Sequence, residues 1–195
     1  MIQFILPAIR LYLLLTVLTG VLYPGLVTAL VTPLFPAQAA GSLVAVDGVN
    51  AGSALVGQAN QERKYFWPRP SAVDYMTGSN AAHLGTSGAT NASVTNAELA
   101  QAVQQRAIDF RTANGLADDT PVPAEMLFAS GSGLDPHISL AAAQLQVERV
   151  AAARNLDVAQ VCILVDTYTE APQLGFLGQA RVNVLLLNLA LDQVQ

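Results

Sequence analysis

Residue types able to do chemistry are densest in one stretch, Ser130-Gly131-Ser132-Gly133-Leu134-Asp135-Pro136-His137-Ile138-Ser139. Hydroxyls, a carboxylate and an imidazole stand close together, beside glycines that let backbone approach a ligand. Asp135 is a good N-cap and Pro136 a good first helical residue, so the turn is expected to open onto a helix running to about Arg154, with Asn155 after it. Free N–H groups at such a terminus favour an anion such as phosphate. Other details point away from it. A phosphate loop of the form G-x-x-x-x-G-K-[ST] needs a Lys that is absent here, and Asp135 would repel phosphate. The glycine spacing does not make a G-x-S-x-G elbow either. Ser132, Asp135 and His137 lie too close in sequence for a hydrolytic triad, whose members come from separate parts of a fold. No catalytic residue is assigned. Ser130, Gly131, Ser132, Gly133, Asp135, Pro136 and His137 stand as contact residues for a partner or a nucleotide, with a structural turn as the simpler reading.

The remaining candidates are sparse. His83, His137 and Cys162 are isolated, so no metal site is expected. Cys162 lies in Val-Cys-Ile-Leu-Val and reads as a small buried hydrophobe. Arg69, fixed between Pro68 and Pro70, suits an ion pair on an extended segment. Tyr65, Phe66 and Trp67 read as core rather than as a binding platform. Gly175-Phe176-Leu177-Gly178 is a glycine-bounded turn with an apolar centre, either a docking knob or a packed loop.

The elements that must position these residues follow from composition. The 195 residues are 52% hydrophobic and only 12% charged, about half the usual charged fraction of a soluble domain. Disorder is excluded by that apolar content. Nine Lys and Arg and a net charge of −5 give no basic stripe for nucleic acid. One Cys cannot form an internal disulfide.

Charge is also unevenly placed. Positions 11–46 hold no charged residue, and Leu11–Leu34 is strongly apolar. As a helix it would span roughly 36 Å, enough for a bilayer core of about 30 Å. Pro24-Gly25 predicts a kink that a neighbouring helix would have to satisfy. Ala37-Gln38-Ala39 has the form of a signal cleavage site, but the apolar run is longer than a signal peptide needs, so a retained anchor is favoured. Arg10 precedes the run and no Lys or Arg follows until Arg63. The positive-inside rule then puts residues 1–10 in the cytoplasm and residues 41–195, net −6, outside.

The expected architecture is a single N-terminal transmembrane helix (11–34) plus one compact α+β extracytoplasmic domain (41–195). Within it, Ser42–Val46 and Ala54–Gly57 read as a hairpin about Asp47-Gly48. Residues 64–70 are extended, and 77–94 form a long polar loop. Thr95 or Asn96 caps a helix to about Ala113 with Gly115 beyond it. Pro123–Ala129 reads as a strand, Asp157 caps a helix to about Thr169, and Arg181–Asp192 leans helical.

Several ordered pieces together resemble a known family. They are Tyr23-Pro24-Gly25-Leu-Val-Thr28, Phe66-Trp67-Pro-Arg69-Pro-Ser-Ala72, Ala129–Ser139, Leu174-Gly-Phe176-Leu-Gly178, Arg181-Val-Asn183-Val184 and Leu187–Asp192. At this spacing the chain resembles the C subunit of the bacterial potassium-transporting P-type ATPase, the KdpC family of the Kdp complex. The resemblance implies a non-catalytic inner-membrane subunit. Its implied partners are the channel-like potassium-binding subunit (KdpA), the ATPase subunit (KdpB) and a small subunit (KdpF). The family is described as a catalytic chaperone that raises the ATPase subunit's affinity for ATP. No cofactor is expected to bind tightly, and ATP enters only through the complex. Tyr23, Pro24, Gly25, Trp67, Arg69, Phe176 and Asn183 are the implied partner-interface residues. Direct ATP contact conflicts with a domain that the charge rule puts outside the cell. The alternative is a secreted or membrane-tethered periplasmic solute-binding protein.

Overall fold

A computed structural model of the chain describes residues 2–46, 48–73 and 87–194. Positions 77–86 of the expected polar loop, with His83, lie outside the described residues. The chain divides into two units, Met1–Leu43 and Val44–Gln195.

The first unit is an apolar helical run. It comprises α1 (Ile2–Val17), a π-helical turn (Leu18–Leu22), α2 (Tyr23–Leu34) and a short α3 (Pro36–Ala39). The stretch Gln3–Leu34, 32 residues, is long and apolar enough to cross a membrane, and it begins well before Leu11. The kink expected at Pro24-Gly25 takes the form of the π turn just ahead of it. Pro24 has no N–H to give the Gly20 carbonyl, and its ring would crowd that carbonyl in a regular α-helix. Widening the preceding turn, with the Tyr23 N–H reaching back to the Leu18 carbonyl, relieves the crowding without ending the helix.

The second unit is α+β. Strands β1 (Leu43–Val46) and β2 (Val49–Ser53) form a two-stranded sheet about the expected turn, but the second strand follows that turn directly and ends before Ala54, so Ala54–Gly57 is not a strand. After the extended segment comes α4 (Ala97–Asn114), capped by Asn96, whose side chain accepts from the Leu99 N–H; Gly115 closes it at φ +66°. Pro123–Ala129 is not a strand. It holds a 3-10 turn, Ala124–Met126, because Pro123 fixes the first turn and removes a ladder donor.

His137 does not enter a helix: His137–Ser139 is strand β3, and Ser139, not Asp135, caps α5 (Leu140–Gln144). The helical region then breaks and resumes as α6 (Val147–Arg154), ending on Asn155 in the left-handed region. Asp157 caps α7 (Val158–Thr167) through a reciprocal capping box with Gln160. Strands β4 (Thr169–Glu170) and β5 (Arg181–Asn183) precede α8 (Val184–Asp192), so the C-terminal tail is strand first and helix second.

The three short strands pair antiparallel in the order β3-β5-β4, with His137 opposite Asn183 and Ser139 opposite Arg181. Ile138 and Val182, facing partners in register, turn into the core with Phe66, Phe110, Val150, Val161, Val165, Leu187 and Leu191. Cys162 is exposed, against expectation. The core-facing positions of α7 are Val161 and Val165, four apart, which leaves the next residue about 100° off that stripe.

Candidate functional site

The glycine-rich turn is closed by its own side chains. The Ser130 hydroxyl accepts from the Gly133 N–H at 2.9 Å, and Ser132 accepts from Leu134 at 3.1 Å. Asp135 accepts from the His137 N–H at 3.0 Å. These N–H groups are thus taken by oxygen acceptors from within the turn. Gly133 is required twice over. Its φ is +69°, and a Cβ there would stand 2.6 Å from the Gly88 carbonyl oxygen. Gly88 and Ser87 in turn donate to the Ser132 carbonyl. Pro136 accepts from the Val184 N–H at 3.0 Å, so the turn is stitched to the start of α8.

A chain of charges leaves this turn. Arg69 pairs with Asp135 at 2.6 Å. The His137 ring stands between Asp135 (3.6 Å) and Glu170 (3.8 Å), and Glu170 pairs with Arg181 at 2.9 Å. The ion pair expected for Arg69 is present, on Asp135. The Ser132 hydroxyl faces that of Ser130 at 3.3 Å rather than the His137 ring. Asn183 caps α8 through the Leu186 N–H and donates to the Ala54 carbonyl at 2.8 Å.

Sequence reasoning did not single out Arg149, Gln146, Asn114 or Asn188, all of them buried. Arg149 donates to the carbonyls of Arg63 (2.6 Å), Tyr65 (2.9 Å) and Glu62 (3.4 Å), and to Asn114 and Gln146. Its guanidinium also lies 4.7 Å from the centre of the Trp67 ring. Burial pushes the guanidinium down from its ordinary value to about 10, so it remains charged at neutral pH. Asn188 accepts from the Phe66 N–H and donates to the Phe66 carbonyl, and Gln146 accepts from the Trp67 N–H. Phe66 is fully buried and Trp67 packs against the core, as expected. Tyr65 donates to Asp192; burial and that bond push its phenol above the ordinary tyrosine value.

Beside the segment is a cleft of about 510 Å³ lined by Trp67, Arg69, Arg106, Asp109, Phe110 and Met126 among others. Arg106 is tied to the Leu127 carbonyl at 2.8 Å. Among the described residues no group of three or more His, Cys, Asp or Glu could hold a metal. Phe176, at the tip of the turn between β4 and β5, is exposed, and so are Tyr23, Pro24 and Gly25 on the apolar helix.

The architecture is thus one helix long and apolar enough to cross a membrane, followed by a small α+β unit. The sequence model of KdpC, the c chain of K+-transporting ATPase, matches residues 5–193. The chain is 49% identical over 189 residues to the potassium-transporting ATPase KdpC subunit of Methylococcus capsulatus, covering 97% of each chain. It is 47% identical to that of Herpetosiphon aurantiacus over 97% of this chain and 95% of the relative. Against that of Sorangium cellulosum it is 50% identical over 95% of each. The chain belongs to the KdpC family.

Proposed function

We propose that this chain is a non-catalytic accessory subunit of an ATP-driven potassium-uptake complex in a bacterial inner membrane. The observation that carries the reading is the family match along nearly the whole chain, over both the apolar helix and the α+β unit. Relatives bearing the KdpC name are subunits of potassium-transporting ATPases. The natural partners here are therefore the channel-like potassium-binding subunit (KdpA), the ATPase subunit (KdpB) and the small subunit (KdpF). The N-terminus lies in the cytoplasm and the α+β unit outside, by the charge asymmetry about the apolar run. Tyr23, Pro24 and Gly25 serve helix contact within the membrane; Trp67, Arg69, Phe176 and Asn183 serve the outer interface, by presentation or by shaping it.

The glycine-rich turn supports a shape-defining role rather than nucleotide capture. Its serines and Asp135 occupy N–H groups that a phosphate would need. Any effect on ATP affinity is therefore transmitted by stabilising a state of the ATPase subunit that binds ATP better, a population shift rather than a contact. The test is direct. The complex is purified through a tag on this chain, and KM for ATP is compared with that of the complex lacking it. Co-purification of an ATPase subunit and a higher KM for ATP without this chain are expected. Recovery of a lone soluble fragment starting near Ala40 would instead support the periplasmic solute-binding alternative.

A further inference from the structure

The helical run is longer than a bilayer needs. Gln3–Leu34 counts 32 residues, about 48 Å at about 1.5 Å per residue, against a hydrocarbon core of about 30 Å, or about twenty residues. About twelve residues must therefore lie outside the core, and apolarity does not say at which end. By hydropathy alone the helix is free to slide through roughly 18 Å.

One side chain removes that freedom. Arg10 is exposed on α1 and is the only charged side chain in positions 1–46. Its unit, Met1–Leu43, contains no Asp or Glu that could pair with it. A core of about twenty residues beginning anywhere between Gln3 and Arg10 would enclose the guanidinium, at a large desolvation cost. Only a core beginning between Leu11 and Leu15 leaves Arg10 out, and such a core of about twenty residues ends between Leu30 and Leu34. The far limit agrees, because the helix stops at Leu34, where Phe35 leaves helical geometry at φ −135°. Tyr12, 70% exposed, falls at the near boundary, where an amphipathic ring is favoured. The excess is thus Gln3–Ile9, at headgroup level on the side of Arg10.

The chemistry of the occupant follows from position and charge. At that level the abundant acceptor is the phosphate of a phospholipid, whose oxygens a planar guanidinium meets with two parallel N–H bonds. The long stem lets the head stay there while its methylene groups lie against the acyl chains. A carboxylate of a neighbouring subunit would act only in an assembled complex, whereas the excess length belongs to this helix in any bilayer.

We propose that Arg10 binds lipid phosphate in the leaflet on the N-terminal side and thereby sets the depth at which the helix crosses the membrane. The proposal rests on the membrane part of the reading above. It is tested on the full chain carrying Cys162→Ser, reconstituted without other subunits in vesicles of phosphatidylethanolamine and phosphatidylglycerol. Spin labels on Leu13→Cys or Val31→Cys report depth through their accessibility to oxygen and to a nickel chelate. Arg10→Leu frees the run to share its excess between both ends, a slide of about four residues or roughly 6 Å. The label near Arg10 is expected to move deeper and the far label shallower by that amount. A change of tilt would move both in the same sense. Arg10→Lys keeps a snorkelling cation and is expected to retain the wild-type depth. In arginine-labelled chain, solid-state NMR is expected to show phosphorus dephasing of a guanidinium carbon signal that Arg10→Leu removes. Unchanged depths in Arg10→Leu, or no such dephasing, overturn the proposal. A depth change that appears only with the other subunits present also overturns it, in favour of a partner carboxylate. Both labels fully open to the chelate in the chain with Arg10 would mean that the helix does not cross the bilayer, which removes the membrane reading itself.

Discussion

The two ends of the extended segment 62–71 are held by opposite means. Its front half is gripped from inside the core by Arg149, Gln146 and Asn188, which meet backbone groups of residues 62, 63, 65, 66 and 67. Its rear half is held by the partly exposed Arg69–Asp135 pair and by the Ser71 hydroxyl, which donates to the Gly133 carbonyl at 2.7 Å. The reason for the difference is Pro68 and Pro70. A segment with two prolines cannot supply a regular ladder of N–H donors, so no strand is paired with it. Where the backbone is buried, every polar group needs a side-chain partner. Where it nears the surface, an ion pair and one hydroxyl suffice. A charge buried without a carboxylate is therefore no anomaly at Arg149: the partial negative charge of three carbonyls takes the counter-ion's place.

Arg149→Met is expected to destabilise the α+β unit by about 3–5 kcal/mol, since buried carbonyls lose their donor. A fall in thermal midpoint of roughly 10 °C or more would be measured by circular dichroism on the full chain in detergent. Arg149→Lys should recover little, because a point ammonium cannot serve five acceptors spread around a planar fork. A midpoint near wild type for Arg149→Met would mean the front half is not held from the core. Asn188→Leu sharpens the same point with a single anchor. It orphans the Phe66 N–H and C=O together and is expected to cost about 2 kcal/mol. The rear half supplies the smallest effect. A double-mutant cycle on Arg69→Gln and Asp135→Asn should give a coupling of about 1 kcal/mol or less, shrinking as salt rises toward 1 M. A coupling as large as the Arg149 effect, insensitive to salt, would erase the distinction between the halves.

The same physics explains what could be read in the sequence. Local signals were legible: the long apolar run, the caps at Asn96 and Asp157, the closing Gly115 and Asn155, and the extended X-Pro steps. Each depends on a few neighbouring residues. Asp135-Pro136 misled because an Asx turn before a strand and an N-cap before a helix use the same two residues. The choice is made by β5, distant in sequence, whose Val182 pairs with Ile138. Cys162 was misplaced because an apolar run one residue wide of a helix's buried stripe looks the same as one upon it. The burial of Arg149 had no local sign, because its partners are mostly main-chain carbonyls from a segment far away in the chain. The ion pair of Arg69 was legible in kind, but its partner only in three dimensions. The tip at Phe176 was legible only as a choice between docking knob and packed loop, and Phe176 is exposed rather than packed.

The π-helical turn at Leu18–Leu22 has a consequence for phase. One residue more than a regular turn enters the helix there, so everything after it is rotated by about 100° relative to an uninterrupted α-helix. Without that rotation Gly25 would point away from Thr16, on the opposite side of the cylinder. With it, Thr16, Gly20, Gly25 and Thr28 align along one seam about 80° wide. The widened turn thus works as a gear tooth, engaging two half-patterns that would otherwise face different neighbours. Pro24→Ala, by letting the helix run through as regular α, would disengage them while leaving every small side chain of the seam in the sequence.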